Sequence, residues 1–317
     1  MNISIIICTH NRADLLRDAL LSIERMSVPK GCNVGLIVVD NASTDNTSDI
    51  INTFIRNKKF YVKGLFEPRL GKTYALNRAI KSAAGEVLIF VDDDHIVSNG
   101  YLDAINKALK ENPSYNIFCG RILPNWDGTE PQWVHDNTVY PIRPFPIPCF
   151  DLGDKTVEAE PGRGMFIPGA GNLMLKRSVF KKIGLFSEQL GPRGHNLSGG
   201  EDIEFIRRAL KKGERLIYIP DALQYHQVKK DKLTLTYLVK KAYYRSMAAN
   251  QFSEKDSLHH FNNIPIYLLR QAFTRFIKSL FAIKHDARRY YLVRFAATLG
   301  EIQGRRKSSG LWNSQDT

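Results

Sequence analysis

Three consecutive aspartates, Asp92-Asp93-Asp94, close the apolar run at residues 87–91. At the carboxyl end of a strand in an open parallel sheet, ligands collect. Three neighbouring carboxylates repel one another unless a cation stands among them. A hard divalent ion such as Mg2+ or Mn2+ binds through carboxylate oxygens together with the oxygens of a substrate diphosphate. The alternative is a solvated acidic turn, and the position at a strand end favours the ion. Asp40 and Thr9 end two other apolar runs; a carboxylate at such a point can accept a hydrogen bond from a base N–H or a ribose hydroxyl. Farther on, Gly199-Gly200-Glu201-Asp202 leads into a helical pattern. Asp202 serves there as an N-cap or, with Glu201, presents one carboxylate into a cleft as a general base. His226 is a candidate metal ligand, or a structural histidine. No G-x-G-x-x-G and no G-x-x-x-x-G-K-[ST] follows any strand, which argues against NAD or FAD and against a P-loop nucleotidase.

These residues need a scaffold, and the first half supplies one. Residues 3–9, 34–40, 60–65 and 87–91 are short Ile/Val-rich runs that read as buried strands. They alternate with amphipathic stretches at 14–26, around Ile50, Ile51, Phe54 and Ile55, and at 73–84, where apolar residues recur at helical spacing. Asp45 or Thr44 caps the second of these helices. Strands of near-continuous apolar content between helices predict βαβ units and a parallel sheet covered on both faces. Residues 121–168 carry eight prolines with Trp126 and Trp133, which predicts a loop-rich excursion lining a cleft rather than regular structure. A short strand follows at 173–175, a helix at 202–212, and a strand at 216–219 that ends at Pro220.

Composition bounds the rest. The chain has 317 residues, 43% hydrophobic and 24% charged, which excludes collagen-like, disordered and disulfide-stapled classes. Four cysteines stand far apart with no C-x-x-C pair. No apolar run is long enough to span a bilayer, and no basic segment precedes Ile3, so a reduced, cytoplasmic protein is expected. The net charge of +13 is uneven. Residues 229–307 hold 17 Lys/Arg against 5 Asp/Glu, whereas residues 1–228 hold 28 against 26. This last third is helical in pattern: at 264–283 Leu268, Leu269, Ala272, Phe273, Phe276, Ile277, Leu280 and Phe281 oppose Arg270, Gln271, Thr274, Arg275 and Lys278. A second such stretch covers 288–302. Basic amphipathic helices with aromatic residues suit an anionic membrane surface; helices packed on a core with a solvated basic face suit the pattern equally.

The order of the pieces carries a resemblance. The segments 9–12 (Thr-His-Asn-Arg), 38–47, Gly71-Lys72 with Ala75-Leu76-Asn77, and Phe90-Val91-Asp92-Asp93-Asp94 resemble the family 2 glycosyltransferases. So do Pro168-Gly169-Ala170-Gly171-Asn172, Gly200-Glu201-Asp202 and His226. The resemblance covers roughly residues 3–245. It implies an α/β GT-A fold, a Rossmann-like and mostly parallel sheet flanked by helices, with the basic helical region as a C-terminal extension. A transferase domain would occupy 1–228, its nucleotide-binding half about 1–120 and its acceptor-binding half about 121–228, followed by 229–317.

By the same resemblance, Thr9 and Asp40 would hold the nucleotide base, and Lys72, Asp92 and Asp93 the nucleotide-sugar. Asp94, Asp92 and His226 would hold Mn2+ or Mg2+, and Asp202 would deprotonate the acceptor hydroxyl. The implied activity is a single, inverting transfer from a nucleotide-diphosphate sugar, UDP above all, to a glycan or lipid-linked acceptor in cell-surface polysaccharide or glycoconjugate synthesis. The processive signature Q-x-x-R-W is absent. Location would be cytoplasmic, peripheral at the inner membrane face. The rivals are a sugar-1-phosphate nucleotidyltransferase, disfavoured because residues 9–12 hold no glycine, and a non-catalytic basic binder of nucleic acid or membrane. No nucleic-acid motif accompanies the charge, and no nucleic-acid partner is expected.

Overall fold

The computed structural model describes residues 1–56, 60–135, 139–140, 142, 149–159, 168–169, 171–194, 199–250, 260–261 and 264–312. Much of the proline-rich stretch, together with Ala170, lies outside the described residues. The chain divides into two compact units. One comprises Met1–Asn125, Pro148–His195 and Glu201–Gln227; the other comprises Trp126–Ile147, Asn196–Gly200 and Val228–Thr317.

The first unit follows the alternation in the sequence: β1 (Asn2–Thr9), α1 (Ala13–Arg25), β2 (Asn33–Asp40), α2 (Thr47–Arg56), β3 (Tyr61–Phe66), α3 (Lys72–Ser82) and β4 (Val87–Val91). Then come β5 (His95–Val97), α4 (Tyr101–Glu111), β6 (Ile117–Asn125), β7 (Val157–Glu158), β8 (Asn172–Lys176), α5 (Ser178–Ile183), α6 (Glu201–Lys211) and β9 (Leu216–Gln227). Among the described residues these strands form one sheet in the order β3-β2-β1-β4-β8-β6-β9-β5, with β7 also paired to β9. The βαβ half is parallel throughout, as expected. The other half is mixed: β8 lies antiparallel to both β4 and β6, and β5 and β7 lie antiparallel to β9.

Why the early strands read as unbroken apolar runs is visible in the core. Ile3, Ile5 and Ile7 of β1, with Val87, Ile89 and Val91 of β4, pack with Leu16, Leu20 and Ile23 of α1 and Leu102 and Ile105 of α4. The alternate residues Ile6, Leu88 and Phe90 pack on the opposite face with Ala75 and Ala79 of α3 and Phe205 and Ile206 of α6. Both sheet faces are covered, so neither side of a strand can be polar. Asp45 accepts the N–H of Thr47 at 3.0 Å and, through its other oxygen, the N–H of Ala13 at 3.1 Å. One side chain thereby caps α2 and ties down the start of α1.

One boundary departs from the sequence reading. β9 does not stop at Pro220 but runs on to Gln227. Its register against β6 jumps, Ile219 facing Gly120 and Leu223 facing Arg121. The missing N–H of Pro220 falls inside this bulge, where no ladder bond is required of it. A side chain at Gly120 would collide with the Ala222 carbonyl and the Asn172 amide, so only glycine fits opposite the bulge. The extension matters because it carries Gln224 and His226.

The second unit contains α7 (Leu235–Asn250), α8 (Ile266–Phe281), α9 (His285–Trp312) and a small antiparallel pair, His260–Phe261 with Ile264–Pro265. Gly300 and Gly304 let α9 approach the backbone of α7 closely, since a Cβ at either would strike the carbonyls of Tyr243 and Met247 respectively. No helix of the described residues is long and apolar enough to cross a membrane.

Candidate active site

The parallel strands β1, β2 and β4 end side by side, with Thr9 in register with Asp40. Loops leaving those strand ends are laced together by Asn41. Its amide donates to the carbonyls of Glu67 at 3.1 Å and Arg69 at 2.7 Å, and its carbonyl accepts the N–H of Gly71 at 2.8 Å. Asp40, nearly buried, accepts the N–H of Ser43 at 2.9 Å and so shapes its own turn. Asp40 and Thr9 thus stand together at the ends of β2 and β1, and the acidic triplet stands at the end of β4.

The triplet is not left to repel itself. Lys72, the first residue of α3, reaches Asp92 Oδ1 with its Nζ at 2.6 Å. Arg12, just past β1, contacts Asp93 Oδ1 at 2.8 Å and Asp94 Oδ2 at 3.3 Å. Burial opposes the charge of Lys72, yet the facing carboxylates of Asp92, Glu201 and Asp202 outweigh it and push its pKa up. Burial likewise pushes Asp93 up against the pull of Arg12, and for Asp92 burial is outweighed by Lys72, which leaves it below the usual carboxylate range. Two built-in cations therefore already stand among the three aspartates, where the sequence reading placed a metal ion alone.

Glu201 and Asp202 open α6. Asp202 is not an N-cap; it sits within the first turn, where its Oδ1 accepts the N–H of Ile203 at 2.8 Å. Glu201 is 4% exposed and its Oε2 has no hydrogen-bond partner among the described residues. Burial, then the neighbouring charge of Asp202, pushes its carboxyl up to about 7 even though Lys72 pulls the other way. The backbone at Gly169 and Gly171 passes against this floor. A Cβ on Gly169 would lie 3.3 Å from Asp202 Oδ2, and one on Gly171 would lie 2.7 Å from Asp92 Oδ2 and 2.8 Å from His95 Cε1. The Gly-Ala-Gly spacing is thus a clearance requirement, since any side chain at 171 would fill the space beside Asp92.

Asp94, His95 and His226 offer ligand atoms that all lie within 4.8 Å of one another, and all three residues are buried. The antiparallel ladder between β5 and β9 pairs His95 with His226 directly, their rings meeting edge to face at 5.2 Å between centroids. His226 Nε2 stands 3.4 Å from Asp94 Oδ2, and His95 Nε2 stands 3.8 Å from Asp94 Oδ1. His95 has its tautomer set from behind. The amide nitrogen of Gln224 donates to the Tyr101 hydroxyl at 2.7 Å and to Asn172 Oδ1 at 3.1 Å, so Gln224 Oε1 is left to accept. It faces His95 Nδ1 at 2.6 Å, which therefore carries the proton. In the neutral ring Nε2 is then the lone pair; it is buried, without a hydrogen-bond partner among the described residues, and turned toward Asp94. A carboxylate and imidazole nitrogens are the donor set of a borderline-hard divalent ion, and an orphaned buried ring nitrogen is costly without one. The residues fit a divalent metal.

Of the candidates read from sequence, Lys72, Asp92, Asp93, Asp94, Glu201, Asp202 and His226 come together in this way. His95, Arg12 and the supporting Tyr101, Asn172 and Gln224 were not singled out. Arg12 closes the quoted Thr-His-Asn-Arg segment and His95 directly follows the aspartates, so both stood in or beside motifs. Their pairings, 81 residues apart for Arg12 with Asp93 and 129 for His95 with Gln224, leave no local signature.

The sequence profile described as glycosyl transferase family 2 matches residues 4–184, more than half of the chain. The chain belongs to this family. It is a glycosyltransferase, and its mixed α/β architecture is the GT-A fold that the resemblance implied. Among relatives, the succinoglycan biosynthesis protein ExoM of Rhizobium meliloti is 23% identical over 77% of this chain and 72% of its own. The poly(ribitol-phosphate) beta-glucosyltransferase of Bacillus spizizenii is 28% identical over 78% of this chain, which spans only 36% of that protein. Among solved structures, the mannosyltransferase PcManGT from Pyrobaculum calidifontis, in complex with GDP-Man and Mn2+, aligns over 98% of this chain and 87% of its own with a TM-score of 0.59 at 16% identity. S. aureus TarS residues 1–349 align over 99% and 92% with a TM-score of 0.54 at 18% identity. At such identities the likeness is one of fold.

Proposed function

We propose that this family 2 glycosyltransferase transfers one sugar, with inversion, from a nucleotide-diphosphate sugar to a hydroxyl of a glycan or lipid-linked acceptor in polysaccharide or glycoconjugate synthesis, with UDP as the carrier. The observation that carries the reading is the junction of two groups: the buried carboxylate–histidine set Asp94, His95 and His226, and the carboxylates of buried Glu201 and half-buried Asp202 beside Lys72. Five carboxylates against Lys72 and Arg12 leave the pocket net negative, so an anionic diphosphate enters with a divalent cation.

Asp94, His95 and His226 would hold Mn2+ or Mg2+. Such an ion, when bound, neutralises charge that grows on the leaving diphosphate. Thr9 and Asp40 border the place for the base, Asp40 accepting from a uracil N3–H. Asp92 and Asp93, held by Lys72 and Arg12, orient the sugar-nucleotide. Asp202 takes the acceptor proton as its oxygen bonds to the anomeric carbon and the bond to the diphosphate breaks, which inverts that centre. PcManGT and TarS, solved with GDP-Man and with UDP-GlcNAc, and relatives named for succinoglycan and poly(ribitol-phosphate), support the donor and acceptor classes. Residues 229–307, with 17 Lys/Arg against 5 Asp/Glu, keep the enzyme peripheral at an anionic membrane face.

Calorimetric titration of UDP, GDP and dTDP, each with Mn2+ and with EDTA, tests the reading on wild type and Asp94→Asn. Metal-dependent binding of UDP, lost in the variant, is expected. A folded protein that binds no nucleotide refutes the donor class.

A further inference from the structure

The apolar residues of α8 do not share one face. With 100° between successive residues, Leu268, Ala272 and Ser279 point one way and are buried, and Arg275 on the same side donates to the Arg294 carbonyl and the Thr298 hydroxyl of α9. The contact with α9 is made by Leu268, which packs with Ile302, by the small Ala272 and Ser279 on the same side, and at its margin by Phe276, whose ring meets Phe295 at 5.4 Å between centroids. Bulky side chains form a second stripe about a third of a turn away: Ile266, Leu269, Phe273, Phe276 and Leu280 at i, i+3, i+7, i+10 and i+14. All five are exposed, Phe273 by 70% and Leu280 by 57%. Phe281 and Ile283 continue the apolar surface past the helix end at 78% and 97% exposure. A row of large apolar side chains left in water on an otherwise well-formed amphipathic helix marks an interaction surface.

Charge identifies the occupant. α8 holds no acidic residue. Arg270, exposed, flanks the stripe, and Lys284 and Arg288 are exposed just beyond its end. A second copy docked through a two-fold would set this basic rim against itself. An anionic bilayer accepts both parts, with acyl chains taking the stripe and headgroup phosphates taking the rim.

We propose that α8 lies in the interface of an anionic membrane with Leu269, Phe273, Phe276 and Leu280 turned into it. This rests on the peripheral location proposed above and specifies the element responsible. It also predicts that the apolar stripe contributes affinity beyond what net charge supplies.

Flotation of the full chain with phosphatidylcholine vesicles, with and without phosphatidylglycerol, tests it on wild type, Phe273→Ser/Leu280→Ser and Arg270→Gln/Lys284→Gln. Both replaced apolar side chains are exposed, so the melting temperature should hold. Wild type is expected to float with the anionic vesicles. The apolar double variant should lose roughly tenfold in partition per side chain removed, and the charge variant should lose its preference for phosphatidylglycerol. Wild type and apolar variant floating equally would overturn the assignment to α8 while leaving a peripheral location by charge alone. Wild type floating with no vesicle would remove both. A concentration-dependent dimer that Phe273→Ser/Leu280→Ser dissolves in the absence of lipid would assign the stripe to a second copy and overturn the membrane proposal.

Discussion

Glu201→Gln isolates the electrostatic state of the pocket floor. Glu201 is buried beside Asp202, and its carboxyl is raised from 4.5 to about 7. Between those two values the folded chain binds a proton that the unfolded chain has released. The unfolding free energy must therefore fall as pH rises through this window. The contribution is fully present below about 4.5 and lost above about 7. At 1.36 kcal/mol per unit this is on the order of 3 kcal/mol. Glutamine has the shape of the protonated acid and does not titrate, so the variant should lack this slope. Urea denaturation in EDTA at pH 5, 6, 7 and 8 reads it directly. Near pH 5 the two proteins should be close in stability. By pH 8 the variant should be the more stable by on the order of 3 kcal/mol, less whatever its amide N–H groups lose for want of acceptors. Parallel profiles, with a gap between wild type and variant that does not change with pH, would refute the placement of Glu201 as a buried, unpartnered acid.

Lys72→Met leaves Asp92 without its 2.6 Å partner. Breaking this half-buried, charge-assisted pair from one side costs about 1–3 kcal/mol, and the denaturant midpoint should fall accordingly, with partial recovery in a Lys72→Met/Asp92→Asn double variant. Gln224→Leu removes the acceptor for His95 Nδ1, and loss of such a supporting contact weakens metal binding about 10–100-fold; electron paramagnetic resonance of free Mn2+ without nucleotide measures this, and an unchanged affinity would count against His95 as a ligand. Gly171→Ala puts a methyl 2.7 Å from Asp92 Oδ2, so UDP affinity should fall while urea denaturation shows a folded protein; unchanged UDP binding would exclude residue 171 from the pocket wall.

Much of this protein follows from local chemistry. β1, β2 and β4 are buried on both faces, so apart from Ser4 and Gly35 their interiors are apolar, mostly Ile, Val and Leu, and that makes them legible. Asp92-Asp93-Asp94 was legible for the complementary reason: charge that ends an apolar run must lie at the rim of the sheet, where a ligand can reach it. The same order of motifs carried the family. What the sequence could not determine depends on long-range pairing. β5 has three residues and no periodicity to display, and it exists because β9 offers it an edge. β9 passes Pro220 only because Gly120 allows a bulge opposite. His95 became a candidate ligand through Gln224, Asn172 and Tyr101, contributed by β9, β8 and α4. Arg12 was only one cation among 45, and Lys72 a candidate for the nucleotide-sugar, until folding brought both to the aspartates. In α8 the amphipathic pattern was plain, yet which side it buries was decided by α9, which takes Leu268, Ala272 and Ser279 and leaves Phe273 and Leu280 in solvent.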